Sequence, residues 1–365
     1  MSQVLDALTA NPEVWSKPVF FLMYDENDGF FDHIVPPNPP ESSAQGFSTV
    51  ATTNELFAGD AHFAAGPYGL GVRVPMIVIS PWSKGGFVNS EVSDHTSLIR
   101  FIERRFGVVE PNITPWRRAI TGDLTSAFNF ESPNSAVVAL PSTTAYAPPD
   151  YIRHNDYNPA PPSEQVLPKQ EPGARPARAL PYEFRVDGDA STSQSTVKLR
   201  FHNTGKAAAV FQVRFADGQT SPKTYTVGAD EEASDTIPVN GQGYDLSVHG
   251  PNGFLRSFAG GLVTGNANLS VRAEYERESG GIALEIRNHR SSPEKVSIFD
   301  AYTGKPTTHQ VEPNDSFSHF FQLHKSYGWY DLTIKVESDG AFQRQLAGHL
   351  ETGRDSMSDP AIGAV

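Results

Sequence analysis

Asp25 and Glu26, followed within one short loop by Asp32 and His33, form a dense group of oxygen and nitrogen donors. Such a set suits a hard or borderline divalent cation, and a cation there could polarise a phosphoryl oxygen and stabilise charge developing on it. The same stretch, with Asn27, Asp28 and Gly29, also reads as a polar turn. The sequence contains no cysteine, so any metal must be held by Asp, Glu, His or Asn, and a disulfide framework or thiolate zinc site is excluded. His95, in the string SDHTS, is a candidate acid or base, because histidine is the side-chain type whose charge changes near neutrality. Its neighbours Asp94 and Thr96 read as a helix cap, which leaves the role of His95 open.

Positioning these residues requires a scaffold. Pro18 to Tyr24, PVFFLMY, is an apolar run of the kind buried on both faces of a mostly parallel sheet. It would deliver Asp25 and Glu26 at its C-terminal end, where open α/β sheets bind ligands. Val72 to Pro81, VRVPMIVISP, predicts a second such strand. Between them, Pro36 to Gly71 is longer than a structural connection needs and predicts a substrate-facing loop. Ser93 or Asp94 starts a helix whose apolar positions, Leu98, Ile99, Phe101, Ile102 and Phe106, keep the 3.6-residue period until Gly107 stops it. Strand, long loop, strand and helix make an α/β signature for residues 1–131.

Residues 132–180 are rich in proline and predict an extended linker. Beyond it the pattern changes to short alternating runs between Gly, Asn and Asp turns, the mark of all-β sandwiches. VKLRFHN at Val197 returns as IALEIRN at Ile282, GYDLSV at Gly243 returns as WYDLTI at Trp329, and SFAG ending at Gly260 returns as QLAG ending at Gly348. A spacing of about 85 residues gives one sandwich per repeat. The expected modules are 181–265 and 266–352, with a tail at 353–365. A net charge of −13 argues against a general nucleic-acid binder, which needs clustered Lys and Arg. No run approaches the ~20 apolar residues that span a bilayer. Met1 to Trp15 places Val4, Leu5 and Leu8 on one helical face and lacks the features of a signal peptide.

The string YDENDGFFDHIVPP resembles a signature of the phosphoesterase family that contains bacterial phospholipases C, plant non-specific phospholipases C and certain acid phosphatases. GLGVRVPMIVISPWSKGGFV from Gly69, SDHTSLIRFIERRFG from Ser93 and WRRAITGDLTSAFNF from Trp116 continue the pattern in order, and the paired modules resemble the C-terminal domains of the bacterial phosphocholine-preferring branch. The resemblance implies a partial alkaline-phosphatase-like α/β domain followed by two β-sandwiches. It implies Asp25 and Glu26 as ligands of a divalent metal ion. Asp32 and His33 would bind phosphate, protonate the leaving alkoxide or brace the loop. Tyr68, Trp82 and Phe87 would cage a choline ammonium by cation–π attraction or simply pack the core. Arg73 and Lys84 would counter a phosphate charge, although single surface cations usually do nothing specific.

The implied activity is phospholipase C hydrolysis of phosphatidylcholine or sphingomyelin to phosphocholine and diacylglycerol or ceramide, at a membrane surface, in a secreted or periplasmic protein. Two other readings stand beside it: a non-enzymatic lipid- or macromolecule-binding module, and an acid phosphatase of the same family. Neither an ENRSFDHYFG-type motif nor a Thr or Ser nucleophile is recognisable. The expectation is therefore of a chain that needs the N-terminal half or a partner chain for activity, with a poorly packed front segment and two sandwiches that fold alone.

Overall fold

A computed structural model describes residues 2–27, 34–139, 142, 163–166, 171–239, 241–263 and 266–362. The front segment contains α1 (Ser2–Thr9), α2 (Pro12–Trp15), β1 (Phe20–Met23), β2 (Gly46–Ser48), β3 (Leu56–Phe57), β4 (Gly66–Pro67), β5 (Met76–Ile79), α3 (His95–Phe106) and α4 (Pro115–Ile120). Both apolar runs form strands, yet β1 and β5 pair antiparallel as an isolated two-stranded sheet, Phe20 opposite Ile79 and Met23 opposite Met76. This corrects the expectation of parallel strands covered on both faces. A parallel pair needs a crossover, usually a helix, and the stretch between β1 and β5 holds short strands instead. The faces are only half covered, with Ile77 53% exposed. Among the described residues the chain is mostly β, and the doubly covered α/β sheet is not seen.

The first module comprises β7 (Phe184–Ser191), β8 (Thr196–Asn203), β9 (Ala209–Phe215), β10 (Lys223–Val227), β11 (Glu231–Pro238), β12 (Gly243–His249) and β13 (Leu255–Gly261), preceded by the short β6 (Pro176–Ala177). The second comprises β14 (Leu269–Glu276), β15 (Gly281–Asn288), β16 (Glu294–Asp300), β17 (Lys305–Val311), β18 (Ser316–Gln322), β19 (Trp329–Val336) and β20 (Asp339–His349), followed by β21 (Ser356–Met357). Alternation explains why these runs become sandwich strands. Val197, Leu199 and Phe201 on β8, and Ile282, Leu284 and Ile286 on β15, are all fully buried at every second position.

The two modules share one layer. A nine-stranded sheet runs β17-β16-β19-β20-β13-β12-β9-β10-β2, and two three-stranded sheets, β11-β8-β7 and β14-β15-β18, close the two cores. The modules join where β13 pairs antiparallel with β20, from Leu255 opposite Ala347 to Ala259 opposite Gln343. The pair Ser257–Gln345 lies at the centre of this register, and a pseudo-two-fold axis there exchanges the modules. Arg256 and Arg344 are equivalent under it. Each donates through Nη1 to its own preceding carbonyl and to one across the junction: Leu255 and Ala347 for Arg256, Gln343 and Ala259 for Arg344. Each reaches a tyrosine of the other module through Nη2, Tyr330 at 3.0 Å and Tyr244 at 2.6 Å.

The loop expected to face substrate supplies β2, which adds in parallel to the β10 edge. Gly46 is required there: φ is +134° and a Cβ would lie 1.8 Å from the Thr224 carbonyl oxygen. Phe47 then enters the first core, its ring 4.8 Å from that of Tyr225. Trp116, at the start of α4, is fully buried against the same sandwich. The first sandwich therefore does not pack as a self-contained unit. The end of the Pro-rich segment is also tied down, because β6 pairs with β21 and bridges to Val88.

Helices α3 and α4 are clamped by Arg118, which donates two 2.8 Å hydrogen bonds to the Glu103 carboxylate. That guanidinium, together with the Glu110 backbone N–H, holds the Glu103 pKa at about 2, below its ordinary 4.5. A depressed carboxylate stabilises the fold fully above its unfolded pKa and loses that contribution as pH falls through the folded one. Thermal midpoints are thus expected to drop between pH 4.5 and about 2, and Glu103→Gln should flatten that slope. An unchanged slope in the variant would remove Glu103 from the acid response.

Candidate functional site

The end of β1 and the start of α3 meet. The Tyr24 backbone N–H donates to the Pro75 carbonyl at 3.2 Å, and the Tyr24 carbonyl lies 3.2 Å from His95 Nε2. His95 is thereby fixed one residue before Asp25, with its Nε2 carrying the proton in this contact. Asp25 and Glu26 follow as exposed side chains. Asp32 and His33 lie outside the described residues.

Asp94 caps α3 as its residue type implied. It accepts from the Thr96 backbone at 2.9 Å and hydroxyl at 2.5 Å, while its own N–H donates to Ser97 Oγ at 3.1 Å in a capping box. Its second oxygen accepts from Arg117 at 2.8 Å. Arg117 also donates to Glu55 at 3.1 Å and to the Gly69 carbonyl at 2.6 Å, and Thr114 donates to the same Glu55. This buried hub ties the loop before β5 to both helices beside His95. Arg117 and Glu55 were not legible as partners, since 62 residues separate them.

Metal coordination needs several donors at one point. Among the described residues no three His, Asp or Glu side chains converge in that way. Asp25 and Glu26 offer the right oxygen chemistry and fit as part of a ligand set. The aromatic candidates have different ring neighbours. Tyr68 is 60% exposed, donates to the Ala64 carbonyl and touches Phe57, whereas Trp82 lies 5.8 Å from Phe130. The Phe87 ring packs against a cation of this chain, with the Arg178 guanidinium 3.7 Å from its centroid and paired to Asp355. Lys84 donates to the Ala136 carbonyl.

The front segment thus carries adjacent carboxylates at a strand end and is followed by twinned sandwiches. Residues 1–109 match the Phosphoesterase family, and residues 176–261 and 269–349 match the bacterial phospholipase C C-terminal domain. The chain therefore carries a Phosphoesterase-family region and two bacterial phospholipase C C-terminal domains.

Among curated proteins it is 49% identical over 376 residues to a non-hemolytic phospholipase C of Burkholderia pseudomallei, covering 99% of this chain and 53% of that protein. A non-hemolytic phospholipase C of Pseudomonas aeruginosa is 46% identical over 99% of this chain and 54% of its own length, and a hemolytic one 41% identical over the same shares. The chain thus spans about half the length of the curated relatives it matches. A solved red sea bream transglutaminase aligns at a TM-score of 0.17 and 11% identity over 47% of this chain and 32% of that one, too slight to carry an argument.

Proposed function

We propose that this chain supplies the Asp25–Glu26 loop and the C-terminal scaffold of a phospholipase C that hydrolyses choline phospholipids to phosphocholine and a neutral lipid. The observation that carries the reading is the contact of the His95 ring with the Tyr24 carbonyl, one residue before the adjacent carboxylates Asp25 and Glu26 at a strand end. The names of the relatives support it. Asp25 and Glu26 would hold a divalent cation that supplies Lewis-acid polarisation of the phosphoryl oxygen. His95 would hold or deliver a proton near the leaving oxygen, with its ring oriented by Tyr24. The nucleophile would come from the part of the relatives this chain does not span. A membrane surface is the proposed working place, in a secreted or periplasmic enzyme.

The test is a hybrid in which this chain replaces the matching stretch of the Burkholderia pseudomallei relative. It is expected to release p-nitrophenol from p-nitrophenylphosphocholine in a metal-dependent way, and Asp25→Ala should lose about a hundredfold, since metal stabilisation of phosphoryl charge is worth several kcal/mol. Faster turnover of p-nitrophenyl phosphate than of the choline ester would favour the phosphatase reading. A folded, inactive hybrid would favour a binding module.

A further inference from the structure

The pseudo-two-fold junction has two ends, and they differ. At one end Tyr275 from β14 donates to the Phe184 carbonyl at 2.8 Å and stands beside Tyr330 at 2.9 Å, and both phenols receive Arg256 Nη2. Ion pairs between Arg277 and Glu183 and between Arg185 and Glu274 close it further. The space left at that end is about 30 Å³. The residue equivalent to Tyr275 in the first module is Ala190, since Ala190 faces Val197 as Tyr275 faces Ile282 in matching registers. Arg344 therefore has one phenol, Tyr244, where Arg256 has two. A cavity of about 410 Å³ lies where the second would stand.

Arg344 forms part of this cavity while only 3% exposed, and Arg272, Arg287 and His289 surround its mouth. Two carboxylates are also present. Asp189 is paired with Arg200, and Glu285 stands opposite Arg272 in the β14–β15 register. Neither Arg344 nor Arg287 has a carboxylate within ion-pair distance among the described residues. A buried guanidinium without a counter-ion is costly, and at the opposite end the equivalent charge is shielded by two phenols instead.

We propose that the open end of the junction is an oxyanion site for a phosphate group, with Arg344 at its floor and Arg287, Arg272 and His289 at its rim. Guanidinium groups approaching from different strands match the several oxygens of a tetrahedral phosphate. The site is built from the sandwiches alone and does not rest on the catalytic reading above.

Titration calorimetry of the chain with inorganic phosphate is expected to show saturable binding. Ala190→Tyr, which restores the missing phenol, should weaken it at least tenfold without lowering the thermal midpoint, and Arg272→Gln with Arg287→Gln should do the same. Co-sedimentation with phosphatidylglycerol vesicles but not phosphatidylcholine vesicles, competed by free phosphate, would assign the group to a lipid headgroup. Phosphate binding without vesicle retention would assign it to a soluble phosphate. No saturable phosphate binding by the parent chain, or parent-like binding in both variants, overturns the proposal.

Discussion

Trp116→Ala is expected to destabilise the protein by about 4 kcal/mol and to detach the front segment from the first sandwich. The side chain is fully buried, packs with Ile120, Ala208 and Val210, and donates through Nε1 to the Thr226 hydroxyl at 2.9 Å. Truncating a buried tryptophan typically costs about 3–5 kcal/mol, and the buried Thr226 hydroxyl would lose a partner at a further cost of about 1–3 kcal/mol unless water enters. Because Thr226 lies on β10, the strand that receives β2, loosening at Trp116 should reach the β2 edge. Thermal unfolding should show the midpoint falling by roughly 10 °C, and limited proteolysis should cut between β1 and β5 sooner. Trp116→Phe, which keeps most of the volume, separates packing from the hydrogen bond. A parent-like midpoint and digestion pattern in Trp116→Ala would mean that the front segment is not cemented to the sandwich at this residue.

The second large effect concerns a pair. Asn203 at the end of β8 is 1% exposed and donates through Nδ2 to the carbonyls of Ala207, Val227 and Gly228, while its Oδ1 accepts from the Gly205 N–H. Asn288 at the end of β15 repeats this with Ser292, Val311, Glu312 and the Arg290 N–H. Each asparagine staples the turn after its own strand to the exit of another strand in the facing sheet. Alanine at either site leaves buried backbone groups without that partner, so each variant should lose about 3 kcal/mol. The two sites belong to different cores, and the double variant should be close to additive. Aspartate, which accepts but cannot donate to three carbonyls, should be no better than alanine and should worsen as pH rises and it ionises. Urea unfolding of the parent and these variants, with the aspartate forms followed across pH, decides this, and losses near those of ordinary surface changes would reduce the asparagines to turn formers.

Those asparagines show what the sequence made legible. VKLRFHN and IALEIRN announce a repeated strand through their period-two apolar residues, and both end on the staple. The alternation reports which residues face inward, because burial is a local property of a pleated strand. It does not report what the terminal polar residue reaches, since the Asn203 partners Val227 and Gly228 lie 24 and 25 residues further on. The start of α3 was legible for the same local reason, as Asp94 and Ser97 satisfy each other within one turn. The β1–β5 pairing was not. An apolar run states that a strand is wanted, and its neighbour and direction depend on which connections the chain provides. Docking of β2 on β10 was equally hidden, because a three-residue strand in a Gly- and Ser-rich stretch has no periodicity to read. At the candidate site, Asp25 and Glu26 were visible as types at a strand end, whereas the approach of His95 to Tyr24 is a tertiary fact spanning 71 residues.

The junction between β13 and β20 also governs how far such a duplication can grow. The contact is isologous: each module offers the same edge to the other. Head-to-tail stacking of repeats leaves a fresh edge after every addition and so builds open-ended arrays, but a back-to-back union consumes the joining edge of both partners at once. The modules therefore form a closed pseudo-dimer within one chain, and a third copy could not lengthen the sheet by the same union.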